Sequence, residues 1–279
     1  MGPIISAVDI DAVSPKQDSP KRLPLALIIV LLGIVALFLF APPLSFEVKA
    51  KSVAYGICHQ IPERSFFLAG HQLPLCARNT GIFLGALLTF GVLFVTGKGR
   101  YAGWPSKKLL LILGLFTLVM GIDGANSYLT FFPDLPHLYE PSNFLRLTTG
   151  SFHGMVMALI MFTLFNSVVW KDAIGRPIIG SVKELGFHLA AMVGLIVVVN
   201  AQLDFLYYPI AALSALAVLV LMGMVNSIPL LMAFRWDNRA TTWREAAPLL
   251  LVGLVAALVE LALLGYFRAE LTAALGLPF

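Results

Sequence analysis

The sequence predicts an all-α integral membrane protein of about seven transmembrane helices, with a short hairpin-containing extracytoplasmic cap between helices one and two. Two observations carry that prediction. Of 279 residues, 59% are hydrophobic and only 12% charged, with a mean hydropathy of +0.88, which is more apolar surface than a soluble domain can hide. Apolar runs of about twenty residues, the length needed to cross a bilayer, recur along the chain. Between them lie short segments holding most of the Lys and Arg. The net charge of +4 therefore signals topology and no nucleic acid, because the basic residues form no stripe. HExxH, P-loop, GxSxG and GxGxxG patterns are all missing from the sequence, so the corresponding catalytic classes have no support.

Residues 1–22 mix Pro, Ser, Asp and Lys with few large apolar groups and predict a disordered cytoplasmic tail. The uncharged run from Leu23 to Phe46 predicts a first span, retained rather than cleaved as a signal peptide. Further spans are predicted at 80–97, 107–132, 145–169, 184–206, 208–234 and 247–267, with only Tyr207, Tyr208 and Pro209 marking the fifth break. The membrane domain thus covers 23–267, and 268–279 form a short extracytoplasmic tail. With the N-terminus inside, the outer side keeps six basic residues, Lys49, Lys51, Arg64, Arg78, Arg146 and Arg268. The other thirteen of the nineteen Lys and Arg fall on the cytoplasmic side. This asymmetry predicts a cytoplasmic N-terminus and an extracytoplasmic C-terminus.

That topology makes residues 47–79 an outer cap, where cysteines can be oxidised. Ala50 to Gln60 predicts a short interfacial helix with Val53, Ala54 and Ile57 on one side, stopped by Pro62. Ser65 to Ala69 and Gln72 to Leu75 flank Gly70-His71 and predict a β-hairpin. The cap holds both cysteines of the chain, and three roles stay open for them. A Cys58–Cys76 disulfide would close a loop of about 18 residues, worth roughly 3 kcal/mol. Cys58, His59, His71 and Cys76 have the ligand types for zinc or another transition metal, although their spacing matches no standard zinc motif. A reduced or redox-active thiol pair is the third.

The runs C-H-Q-x-P-E-R-S-F and P-L-C-A-R-x-T-G-I-F-L-G, with GIDGANSY and RLTTGSFHG further on, resemble the domain-of-unknown-function 2085 family. The resemblance is best over residues 55 to 155 and implies a polytopic prokaryotic membrane protein with its signature at Cys58, His59, Arg64, Cys76, Arg78 and Gly81. Many members of that family carry a further cysteine where this chain has Asn79, so the resemblance does not extend to a three-thiolate metal site. It brings no activity with it.

Thr80-Gly81-Ile82-Phe83-Leu84-Gly85 recurs as Thr149-Gly150-Ser151-Phe152-His153-Gly154, each with an arginine just upstream, Arg78 and Arg146. Phe131-Phe132-Pro133 and Tyr207-Tyr208-Pro209 echo each other in turn, which suggests that spans two and three are repeated by spans four and five. Each repeat is a GxxxG that lets two helix backbones approach closely. An arginine beside a helix N-terminus also adds its charge to the positive end of the macrodipole, so two such mouths could hold an anion such as a lipid phosphate.

Ionisable groups inside spans are costly and mark a pathway or a buried pair. Counted from the outer ends of their spans at 1.5 Å per residue, Asp123, His153 and Glu260 all lie about 10 to 14 Å beneath the outer surface. Arg78, Arg146, Asp123, His153 and Glu260 are therefore the candidate ligand-binding residues of an outward-opening site for an anionic lipid or small molecule. An outer Cys/His enzyme centre, and an accessory subunit that binds membrane partners through its GxxxG faces, are the alternatives.

Overall fold

The computed structural model describes residues 25–42, 45–132 and 135–275. The expected tail 1–22, the start of the first span and Pro133 lie outside them. Eight α-helices follow in order: α1 (Leu25–Phe40), α2 (Phe46–Tyr55), α3 (Ala77–Val95), α4 (Lys107–Leu129), α5 (Asn143–Val169), α6 (Val182–Asn200), α7 (Tyr207–Ala233) and α8 (Trp243–Leu275). Among the described residues, α3 to α8 are the helices long and apolar enough to cross a membrane, six in all. The protein is an all-helical, multi-pass membrane protein. Only 22% of the apolar window of α4 is buried, and its Leu111, Leu115, Leu118 and Val119 face outward, the pattern of a helix wetted by lipid.

The expected first span divides in two. α1 stops at Phe40, and its 16 described residues rise about 24 Å, most of a hydrocarbon core of about 30 Å. Phe46 instead opens α2, and the sequence between carries Pro42 and Pro43, which lack the N–H a helix needs. α2 is amphipathic, burying Ala50, Val53 and Ala54 against α7 and α8. It begins earlier than expected and ends at Tyr55. At the other extreme α8 runs on to Leu275, through most of the expected outer tail.

The hairpin forms as β1 (Phe67–Leu68) paired antiparallel with β2 (His71–Gln72). Its turn is Ala69-Gly70, at φ +51° and +77°, the left-handed pair a two-residue hairpin demands. His71 is thereby in the strand and not in the turn. Asp204 Oδ1 accepts the Ala69 N–H at 2.6 Å, which ties the hairpin to the α6–α7 connection. Since left-handed backbone costs alanine roughly 1 kcal/mol, Ala69→Gly is expected to raise the thermal midpoint slightly. A melting curve of the purified variant checks this.

α3 and α5 form the centre and run parallel, as the repeated motifs require. A methyl group added at Gly81 would meet Ser151 N at 2.8 Å, and one at Gly85 would meet Ser151 O at 2.6 Å. Gly150 sits on the Arg78 carbonyl and Gly154 on that of Ile82. The two GxxxG motifs are therefore packed against each other and offer no face to a partner. The rest of the echo differs, because Tyr207-Tyr208-Pro209 opens α7 instead of closing α6. Proline fits there, in a first turn whose N–H groups have no helical acceptor.

The connections gather at two ends. At one, β3 (Tyr101–Gly103) pairs in parallel with β4 (Ile174–Pro177), Lys171 N–H donates to Ala240 O at 3.0 Å, and Arg100 donates to Thr241 O at 2.8 Å. At the other lie the hairpin segment, the α4–α5 connection and the α6–α7 turn. Alternating ends are what successive crossings produce.

Candidate functional site

The segment from Gly56 to Cys76 folds over the mouths of α3, α4 and α5. Gln60 straps it down by donating to Lys51 O and Pro74 O, both at 2.9 Å. Gln72 donates back to Gln60 O at 2.7 Å. Beneath this strap is a cavity of about 280 Å³ lined by Ile57, Cys58, His59, Ile61, Arg64, Cys76, Arg78, Asn79 and Arg146. Three guanidinium groups thus meet at one small space.

Arg78 is anchored on its far side. It donates to Asp123 Oδ2 at 2.5 Å and to Ser127 Oγ at 3.0 Å. Asp123 is 1% exposed and also accepts from Tyr139 Oη at 2.8 Å and Thr149 Oγ1 at 3.2 Å. A buried carboxylate with an arginine and two hydroxyls is a satisfied group. Burial, then the hydrogen bond to Asp123, pushes the Tyr139 phenol up to about 12, so it stays a donor at physiological pH.

The other two arginines are less balanced. Arg64 donates to Ser127 O at 3.0 Å and Thr130 Oγ1 at 3.2 Å and lies over the Phe131 ring at 3.9 Å. Burial, and then the charge of Arg78, lowers its pKa. Arg146 is only 7% exposed, donates to Asn143 Oδ1 at 2.9 Å, and leaves its Nε without a partner. Among the described residues no carboxylate comes within ion-pair distance of either.

Both cysteines line the cavity as free thiols. The Cys76 N–H donates to Cys58 Sγ at 3.1 Å, and Cys76 is the N-cap of α3. The thiol hydrogen bond from Cys76 is the main reason the Cys58 pKa falls, to about 6. Donating that bond, together with burial, moves Cys76 well upward. The pair gives up one proton readily and holds the second.

The structure joins Arg78, Arg146 and Asp123 and leaves the other candidates apart. His153 lies lower on the α4–α5 seam, 3.3 Å from Thr117 Oγ1. Glu260 accepts from Asn226 at 2.6 Å between α7 and α8. His71 belongs to the hairpin, 3.4 Å from Glu47, with its ring tilted against Tyr207 at 5.1 Å between centroids. Cys58, His59 and Cys76 share the cavity without His71. Among the described residues no group of three or more His, Cys, Asp or Glu is placed to hold a metal ion, and three arginines there would repel one. Tyr139 and Thr149 were not predicted for the site. Tyr139 sits in a loop that carries no periodic signal, whereas Thr149 lies one turn beyond Arg146, a spacing that could have marked it.

A family model described as a predicted membrane protein of domain-of-unknown-function 2085 matches residues 58–160, which span the cap from Cys58 onward, α3, α4 and two thirds of α5. An uncharacterized protein of Methanocaldococcus jannaschii is 32% identical over 115 residues, covering 41% of this chain and 67% of that protein. Another, from Methanothermobacter thermautotrophicus, is 36% identical over 104 residues, covering 37% of this chain and 83% of the relative. No solved structure matches. The matched region contains nearly every residue around the arginine cavity, and the chain belongs to the domain-of-unknown-function 2085 family of predicted membrane proteins.

Proposed function

We propose that the chain crosses the membrane seven times, N-terminus cytoplasmic and C-terminus extracytoplasmic, and that its arginine cavity opens outward and binds an anionic group such as a phosphate. The charge count supports this orientation, since the β3–β4 end carries Lys98, Arg100, Lys107, Lys108, Lys171 and Arg176. The single observation that carries the binding reading is Arg146, a nearly fully buried cation with an unpartnered Nε on a cavity shared with two more arginines. Among the described residues only Asp123 pairs with any of the three. A buried charge left without a counter-ion is costly, and an anion in the cavity removes that cost. Binding is better supported than passage through the bilayer, because Glu260 and His153 stand on separate seams.

The test is thermal stability of the full chain in nanodiscs. Inorganic phosphate added to phosphatidylcholine discs is expected to raise the midpoint if the ligand is a free anion. A rise confined to phosphatidylglycerol discs identifies a lipid headgroup. In either case Arg146→Gln is expected to weaken binding about tenfold or more, the value of one charge-assisted hydrogen bond. No stabilisation by phosphate or by phosphatidylglycerol, relative to chloride in phosphatidylcholine, would overturn the proposal.

A further inference from the structure

The cavity that holds the arginines also holds the chain's two thiols, and the anion reading alone gives them no task. Cys58 Sγ accepts the Cys76 N–H at 3.1 Å and both cysteines line the same cavity, an approach close enough for side-chain rotation to bring sulfur to sulfur. Cys76 occupies the N-cap position of α3 and its N–H points at Cys58 Sγ, so the positive end of the helix favours a sulfur anion at Cys58. Arg64, Arg78 and Arg146 line the same space. A pair of bridgeable thiols facing three cations selects for an electrophile that is itself negatively charged.

We infer that Cys58 and Cys76 form a dithiol couple that exchanges with a small anionic disulfide, whose carboxylates or phosphates are held by Arg64 and Arg146. This rests on the anion-binding reading of the cavity. One cysteine sulfur, as its thiolate, attacks the bound disulfide. A mixed disulfide forms, and the first half of the substrate leaves as a thiolate that takes up a proton. The second cysteine loses its proton to solvent and attacks the mixed disulfide. The Cys58–Cys76 bond closes and the second half departs as a thiolate that is protonated in turn. The protein gives up two electrons and two protons, and the disulfide gains both to become two thiols. The reverse reaction loads electrons back from anionic thiols.

The experiment compares oxidised glutathione, which is carboxylate-bearing, with cystamine, which is cationic, on the reduced full chain in detergent. Intact mass reads the mixed disulfide and the internal disulfide. Oxidised glutathione is expected to react about tenfold or more faster, a difference of the size that charge complementarity produces. Arg146→Gln is expected to erase most of that preference while cystamine still reacts. Cys58→Ser or Cys76→Ser, each a one-atom change, is expected to accumulate the mixed disulfide instead of releasing it. Thiols that stay unreactive in the folded protein but alkylate after denaturation would overturn the inference, and so would equal rates for the two disulfides. Phosphate binding measured on the same samples separates the two proposals. Binding with unreactive thiols overturns the redox inference alone, whereas no binding together with equal rates overturns both.

Discussion

Gly154→Ala is expected to be the most damaging single-methyl change in the chain. The new Cβ would fall on the Ile82 carbonyl oxygen, and a backbone atom cannot rotate away as a side chain can. α3 and α5 must part to admit it, and the parting travels along both helices because Gly81, Gly85 and Gly150 depend on the same closeness. Overpacking of a tight contact costs about 1–3 kcal/mol, and a clash with main chain belongs at about 3 kcal/mol. Gly91→Ala is the matched control, on the facing helix α3 with no atom within 4 Å of the added carbon. It is expected to melt as the wild type does. Equal melting of the two variants in detergent would show that the helices do not touch at Gly154.

Asp123→Asn is expected to be nearly as severe, for an electrostatic reason. The substitution keeps the shape and one acceptor for Tyr139 or Arg78, but it leaves three guanidinium groups with no carboxylate beneath them. Removing one partner of a buried ion pair costs about 3–5 kcal/mol. The lower end applies here, because the Arg78 side chain is 20% exposed. Adding Arg78→Gln to Asp123→Asn is expected to restore part of the loss, since no uncompensated charge is then left at that position. Additive melting shifts in the double variant would show that the two residues are not coupled.

Much of this was legible in the sequence because bilayer crossing imposes a long, simple pattern. α3 to α8 were each visible as an apolar run, and the capping serines Ser106, Ser142 and Ser181 moved the observed starts of α5 and α6 by only about two residues. That Asp123, an ionisable group inside a span, marks a pathway or a buried pair was readable from depth, whereas the choice of Arg78 over Arg146 as its partner was not. The close approach of the GxxxG motifs was readable as well. Side-chain azimuth was not. Glu260 matched Asp123 in depth yet turned toward Asn226, because depth counts residues along a helix and says nothing of which neighbour a given face meets. The cavity itself was also hidden. Its walls come from an irregular segment, where Gln60 at φ +54° bends the chain in a way no periodicity announces.

One contact made by α8 bears on how the protein is built during synthesis. Arg268 donates to the carbonyl oxygens of Tyr55, Cys58 and His59 and lies over the Tyr55 ring at 4.1 Å, so the last helix clasps the rim of a cavity begun 210 positions earlier. While the nascent chain is still growing, those carbonyls have no guanidinium to receive, and the family region sits in the bilayer with its rim unclasped. The lock arrives with α8. A translation product truncated before Arg268 would therefore carry every lining residue of the cavity and still lack the clasp that holds its cover in place.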